Sequence, residues 1–423
     1  MTASFPRSLA RMIVCTTASI SCMVLLAGCE NTAPVTSSEE LAQNHTPAPA
    51  EQNTADEILE AAHINITPPQ PDPCETLGDL IRETKPETAL TTPGNYKDRA
   101  DVKAFAQQVS ACHNLDLAWV LDTLGQAQYQ ASTAKFIMPQ PSGTRNWQNF
   151  KGRFIQANRI QAGVKFWRQN HEWLERAEAS YGVPADIVMG ILGVETVFGQ
   201  FTGNHRIIDA LATLAFDFPQ GRSDRTDYFA SELAYYLVFT ARENVPPLSV
   251  RGSYAGAMGM PQFMPSSLLN YGVDFDGDGK IDLHNSAPDI IGSVANYLAA
   301  HGWQRGLPPT LPILFQGASQ ESLEALLKPD IVPTFTIQEL ERHGVLVDAS
   351  ANENMDMTHT KLAFIALENG TDLPPDYIAG TQNFFVITRY NRSSFYAMVV
   401  VEMGNAIAKA YAGNMPSKVA VPH

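Results

Sequence analysis

Glu195 lies in the segment Gly193-Val194-Glu195-Thr196-Val197-Phe198-Gly199, and Ile187, Val188, Met189, Ile191 and Leu192 precede it. A carboxyl group in such apolar company loses hydration, which disfavours the charged form and raises its pKa. A helix C-terminus close by acts in the same direction, because its partial negative charge opposes an anion. A carboxylic acid still protonated near neutrality is what a general acid requires. A glutamate on the solvated side of an amphipathic helix would have no such role. The local pattern alone leaves both readings open.

Three further segments carry chemistry. Residues 252–266 (Gly252-Ser253-Tyr254-Ala255-Gly256-Ala257-Met258-Gly259-Met260-Pro261-Gln262-Phe263-Met264-Pro265-Ser266) are dense in Gly and Ala, which lets backbone approach a ligand closely. Ser253, Tyr254 and Gln262 offer neutral hydrogen-bonding groups and Phe263 an apolar face, a set suited to a sugar. A turn packed with small residues would explain the same run. Asp274-Phe275-Asp276-Gly277-Asp278-Gly279-Lys280-Ile281-Asp282 places acids at positions 1, 3, 5 and 9 and Gly at 6, as in the first part of an EF-hand loop. Lys280 would contribute its carbonyl. Position 12 is Asn285 instead of Glu, and Asp289 is the alternative last ligand. Alternating oxygen donors favour Ca²⁺ over Zn²⁺ and a structural role over a catalytic one. Finally, Ile387-Thr388-Arg389-Tyr390-Asn391-Arg392-Ser393-Ser394-Phe395-Tyr396 leads into the last helix. Tyr390, Asn391 and Tyr396 could reach into a cleft, or Asn391 or Ser393 could simply cap that helix.

The elements that position these groups are mostly helical. Apolar spacing predicts helices around 101–124 and 165–181, another from Pro184 with Gly199 at its end, then 207–216, 226–242, 265–271 and 290–300. From about residue 303, proline rises and the runs 334–337 and 384–388 read as β-type, so a smaller α+β lobe is expected. A final helix spans 394–412. The 423 residues suit two or three domains, and 44% hydrophobic content supplies a core. Lys and Arg number 29 against 44 Asp and Glu, a net charge of −15. That balance argues against a nucleic-acid partner, which needs concentrated basic surface. No serine nucleophile elbow, zinc His-Glu-x-x-His or P-loop occurs, so no catalytic cofactor is expected.

Residues 1–28 read as an export signal: Arg7 and Arg11, an uncharged apolar stretch, then Leu26-Ala27-Gly28-Cys29. Cys29 at that cleavage point resembles a bacterial lipoprotein box, in which acylation holds a soluble body at a membrane surface. An ordinary signal peptide is the alternative. Glu30, where Asp would favour inner-membrane retention by resemblance, points to the outer membrane, facing the periplasm. Residues 30–72 are poor in large apolar residues and read as a tether. Cys74 and Cys112 remain as a candidate disulfide, with two free thiols as the alternative.

Taken together, GVETVFG, IIDALATLAFDFP, YAGAMGMPQFMPSS, the acidic loop leading into IGSVANYLAAHGW, and ITRYNRSSFYAM resemble, in order, the membrane-bound lytic murein transglycosylase B family over roughly residues 150–412. The resemblance implies a mainly α (α+β) fold with a lysozyme-like core, a flanking helical domain and a small β-containing domain. The division expected from the sequence pattern and the resemblance together is signal peptide 1–28, tether 29–73, helical domain 74–174, core 175–302, small α+β domain 303–393, and C-terminal helix and tail 394–423. It implies cleavage of the MurNAc-β-1,4-GlcNAc bond of peptidoglycan by a monomer, leaving 1,6-anhydro ends, with Glu195 as acid and then base. Ser253, Gln262, Phe263, Tyr390, Asn391 and Tyr396 become cleft residues, and Arg225 a contact for the peptide stem. Extra residues near 220–224 leave Arg222 as the alternative to Arg225. Met260-Pro261 stands where the family often has an aromatic and Gly. A lysozyme-type hydrolase and a non-catalytic wall-binding lipoprotein are the competing functions.

Overall fold

The computed structural model describes residues 76–86, 96–138, 145–348, 356–371 and 373–413. The signal segment, Cys29, the tether and Cys74 lie outside the described residues. Cys112 is disulfide-bonded. None of the described helices is long and apolar enough to cross a membrane.

The chain opens with α1 (Leu77–Thr84), α2 (Ala100–His113), α3 (Leu117–Gly125), α4 (Ala131–Phe136), α5 (Trp147–Gly152) and the long α6 (Ala157–Tyr181). Then follow α7 (Ala185–Glu195), β1 (His205–Arg206), α8 (Ile207–Phe216), α9 (Thr226–Arg242), β2 (Arg251–Gly252), α10 (Pro265–Tyr271) and α11 (Ala287–Ala300). Next come β3 (Thr310–Leu311), β4 (Ile313–Phe315), α12 (Gln320–Leu327), α13 (Ile337–Arg342), β5 (Val345–Val347), β6 (Ala363–Leu367) and β7 (Asp376–Gly380). The chain closes with α14 (Gln382–Tyr390) and α15 (Ser394–Gly413). The fold is thus mainly α.

Helix α7 is apolar apart from Asp186 and Glu195, and every residue in it except Asp186 is buried, the pattern of a helix inside a core. It lies against α15, and small residues set how closely. A Cβ on Gly190 would fall 2.2 Å from the Val400 carbonyl, and one on Gly404 2.2 Å from that of Asp186. The two backbones therefore touch, and whatever ends α7 is pressed against the start of α15. A second, smaller core gathers Leu307, Leu311, Leu326, Leu340, Val345, Leu362, Phe364 and Ala379. It packs beneath the antiparallel sheet β3-β7-β6, where Thr310 pairs with Gly380 and Ile365 with Ile378, and beside the β4-β5 pair.

Three local expectations change. Residues 384–388 are helical, within α14, although Phe384, Val386 and Ile387 favour strands. Thr381 caps the helix by accepting from the Asn383 amide, and these apolar side chains are buried in the main core. Packing outweighs the weak local preference there. In 334–337 only Phe335 bridges to Leu362, while Thr336 forms a capping box with Glu339 and starts α13. The helix expected to reach Gly199 stops at Glu195, because Val197 and Phe198 turn to positive φ.

Candidate active site

Glu195 is the last residue of α7 and only 6% exposed. Its Oε1 accepts a hydrogen bond from the Tyr396 hydroxyl at 2.6 Å. Burial pushes the carboxyl up to about 7, and the Tyr396 bond pulls the other way by favouring the charged form. The chain leaves α7 abruptly, with φ of 52° at Val197 and 56° at Phe198. Left-handed backbone at non-glycine residues costs about 1–3 kcal/mol each and persists only where the surroundings over-determine it. Here Thr196 does so: its hydroxyl donates to the Met260 carbonyl at 2.8 Å and accepts from the Gly199 amide at 3.0 Å. The turn after the acid is thereby tied to the glycine-rich segment.

That segment is a compact set of β-bridges, Gly252 to Met258 and Met258 to Phe263. The Ser253 oxygen accepts from the Ala255 and Ala257 amides, so it holds the loop and keeps one O–H to donate. Gln262, with φ of 55°, spends its side-chain N–H groups on the Thr202 and Gly259 carbonyls, which leaves its Oε1 as the atom for a ligand. Phe263 is 2% exposed and stands behind Tyr297 and Tyr390, ring centres 5.6 and 5.9 Å away. It is a supporting wall, not the open platform that its sequence context suggests. Tyr254 is half-buried and edge-on to Phe136.

The turn between α14 and α15 brings the remaining aromatics. Tyr390 donates to the Pro261 carbonyl at 2.5 Å and stacks at 14° on Tyr396. Asn391 ends α14, half-buried in extended backbone, and Ser393 accepts from the Tyr396 amide at the head of α15. Glu195, Tyr396, Tyr390 and the 260–263 turn therefore form one connected group.

Arg225 immediately precedes α9, its guanidinium 4.5 Å over the Tyr228 ring and 5.3 Å from that of Phe229. Arg222 instead donates to the Ile137 carbonyl. Two participants escape the sequence reading. Tyr297 on α11 contacts Phe263 and Tyr390. Glu232 on α9 is a second buried acid, 3% exposed, that burial pushes up to about 7. Its signal was available: Phe229 and Tyr236, three before and four after it, place it on the apolar face of α9.

In the acidic loop, carboxylate oxygens of Asp274, Asp276 and Asp289 lie within 4.8 Å of one another. Asp274 also accepts from the Gly277, Asp278 and Gly279 amides, which curls the loop around it. Asp278 accepts from the Lys280 amide, and Asp282 from the His284 and Asn285 amides. Asn285 is turned towards Asp282, so Asp289 is the residue brought to the acidic group. Asp289 is 1% exposed and receives the Phe275 and Asp282 amides. Three clustered carboxylates in an oxygen-only loop fit a hard divalent cation. The loop also buttresses the active-site segment, since the Leu283 carbonyl accepts from the Met260 amide at 2.8 Å.

Comparison with known proteins places this arrangement. The model of the transglycosylase SLT domain matches residues 97–405. Membrane-bound lytic murein transglycosylase B of Escherichia coli (strain K12) is 36% identical over 326 residues, which is 75% of this chain and 85% of that protein. The soluble lytic transglycosylase SltB1 from Pseudomonas aeruginosa superposes with a TM-score of 0.66 at 38% identity, covering 74% of this chain and 99% of that one. The Escherichia coli lytic transglycosylase SLT35 in complex with calcium does so with a TM-score of 0.64 at 34% identity, covering 77% and 98%. With a family model spanning most of its length and that degree of identity, the chain belongs to the membrane-bound lytic murein transglycosylase B family.

Proposed function

We propose that Glu195 is the single acid and base of a peptidoglycan lytic transglycosylase that cleaves the MurNAc-β-1,4-GlcNAc bond and leaves 1,6-anhydro-MurNAc ends. The family assignment supports the reaction class. The observation that carries the mechanism is a carboxyl pushed up to about 7 by burial and oriented by a single hydrogen bond from the Tyr396 hydroxyl. Glycosidases with a protein nucleophile pair two carboxylates across the bond. Here the groups acting on Glu195 are its apolar surroundings and Tyr396, and no second carboxylate among the described residues acts on it. Protonated Glu195 gives its proton to the glycosidic oxygen, and the C1–O4 bond breaks. The substrate's acetamido oxygen supports the electron-poor C1. Ionised Glu195 then takes the proton of the C6 hydroxyl, and the O6–C1 bond forms. The proton returns to Glu195, and no cofactor enters the balance. Holding O6 against C1 replaces bimolecular attack by water. Ser253, Tyr254, Gln262, Tyr390 and Asn391 line the glycan cleft, Phe263 backs it, and Arg225 meets the peptide stem.

Ca²⁺ is the cation for the loop, with Asp274, Asp276 and Asp289 as carboxylate ligands, and it stiffens the support under Met260. Added Ca²⁺ at a hundredfold excess over its Kd raises the stability of chelator-treated protein by about 2.7 kcal/mol. Thermal unfolding checks this, and Asp274→Asn removes most of the gain. Cys29 carries the lipid, the address is the outer membrane facing the periplasm, and Cys74 pairs with Cys112. The protein acts as a monomer.

The test of function is mass spectrometry of the soluble products from purified sacculi. Anhydro ends weigh one water less than reducing ends. Reducing ends alone would make the protein a hydrolase, and binding without release of muropeptides would make it a wall-binding lipoprotein.

A further inference from the structure

Glu232 has no part in the proton transfers above, yet it is buried and fully engaged. One carboxylate oxygen accepts from the Ser266 amide at 2.9 Å and the other from the Ser266 hydroxyl at 2.6 Å. The Tyr228 hydroxyl and the Arg225 charge also act on it electrostatically. Ser266 follows Phe263 by three residues, in the first turn of α10. Arg225 rests on the Tyr228 ring. One buried side chain thus joins the turn that carries Gln262 and Phe263 to the rim that carries Arg225.

We propose that Glu232 is a positioning residue that fixes the Arg225 guanidinium relative to the Phe263 wall, so that a glycan bearing peptide stems meets both as one surface. This rests on the reading that Arg225 and the 252–266 segment line the cleft. Ionised Glu232 attracts Arg225, favours the Tyr228 hydroxyl beside it and accepts from Ser266. Protonated Glu232 loses the attraction and leaves Arg225 held by the Tyr228 and Phe229 rings alone. The groups facing it are Tyr228 and Arg225 from α9 and its leading turn, and Ser266 from α10. Tyr297 on α11 acts on Tyr228, and Arg222 acts on Arg225.

The experiment measures KM and kcat from pH 5 to 9 on glycan strands that carry their stem peptides. Glu232→Gln keeps the shape but has no charge; its oxygen accepts from the Ser266 amide and its NH2 donates to the Ser266 hydroxyl, which reverses that bond. It raises KM about fivefold at pH 8, the scale of one net hydrogen bond, and leaves kcat within about twofold. Wild-type KM rises as pH falls through about 7, while the variant's KM is already high and flat. Arg225→Ala raises KM as well, and adding Glu232→Gln to it changes nothing further. Ser266→Ala, which removes one bond and no charge, is a second variant with an intermediate rise in KM. An unchanged KM and pH profile in Glu232→Gln, or effects that multiply in the double variant, overturns the proposal while the cleft reading stands. No KM change in Arg225→Ala overturns both.

Discussion

Glu195→Gln abolishes release of anhydro-muropeptides, lowering turnover by about 10³- to 10⁴-fold, the upper part of what a positioned general acid contributes. The loss is large because one group serves both proton transfers. The same substitution stabilises the protein at alkaline pH. The carboxyl is pushed from an ordinary 4.5 up to about 7 by burial. The folded state therefore holds a proton that the unfolded chain releases between those values. Wild-type stability is fully present below pH 4.5 and falls as pH rises to 7, by up to about 3 kcal/mol for this group. Glutamine carries no such penalty, and its Oε1 still accepts from Tyr396. At pH 8 the variant melts higher than wild type, and at pH 4.5 the gap closes. Unfolding curves at the two pH values, beside product analysis, check both halves. An inactive variant that melted lower at both would assign Glu195 to packing.

Tyr396→Phe lowers kcat by about 10- to 100-fold, because a carboxyl free to rotate spends less time in line with both oxygens. The bond from the hydroxyl favours ionised Glu195 and so holds its pKa down. Without it, the pKa rises above the wild-type value. Activity that requires the protonated acid falls through about 7 in wild type, and that limb moves to higher pH in the variant. The shift separates the hydroxyl's role from simple loss of structure, since the ring remains wedged against Tyr390. A pH–rate profile on sacculi decides it, and a limb that stays in place would sink the assignment.

The local sequence already carried much of this protein. The unbroken apolar run before Glu195 specifies a buried helix, and burial alone raises the acid's pKa. The aspartates and glycines of 274–282 specify a tight oxygen-lined loop, since each acid can accept an amide a few residues ahead, as Asp274 does from Gly279. The chain's identity as a murein-cleaving enzyme follows from five short segments in order. These properties depend on neighbours within about one turn of backbone, so they are written in consecutive residues.

Tertiary packing decided the rest. Tyr396 is 201 residues from Glu195 and reaches it because α7 and α15 meet through Gly190 and Gly404. Residues 384–388 became helix instead of strand because their burial in the main core exceeds a preference of at most about 1 kcal/mol. Asp289 joined Asp274 and Asp276 because the head of α11 folds under the loop. Glu232 showed its apolar face in the helical spacing, but its partner Ser266 lies on another helix. A side chain's type is a local fact. Its partner is set by which surfaces bury each other, a sum over the whole chain that no single segment contains.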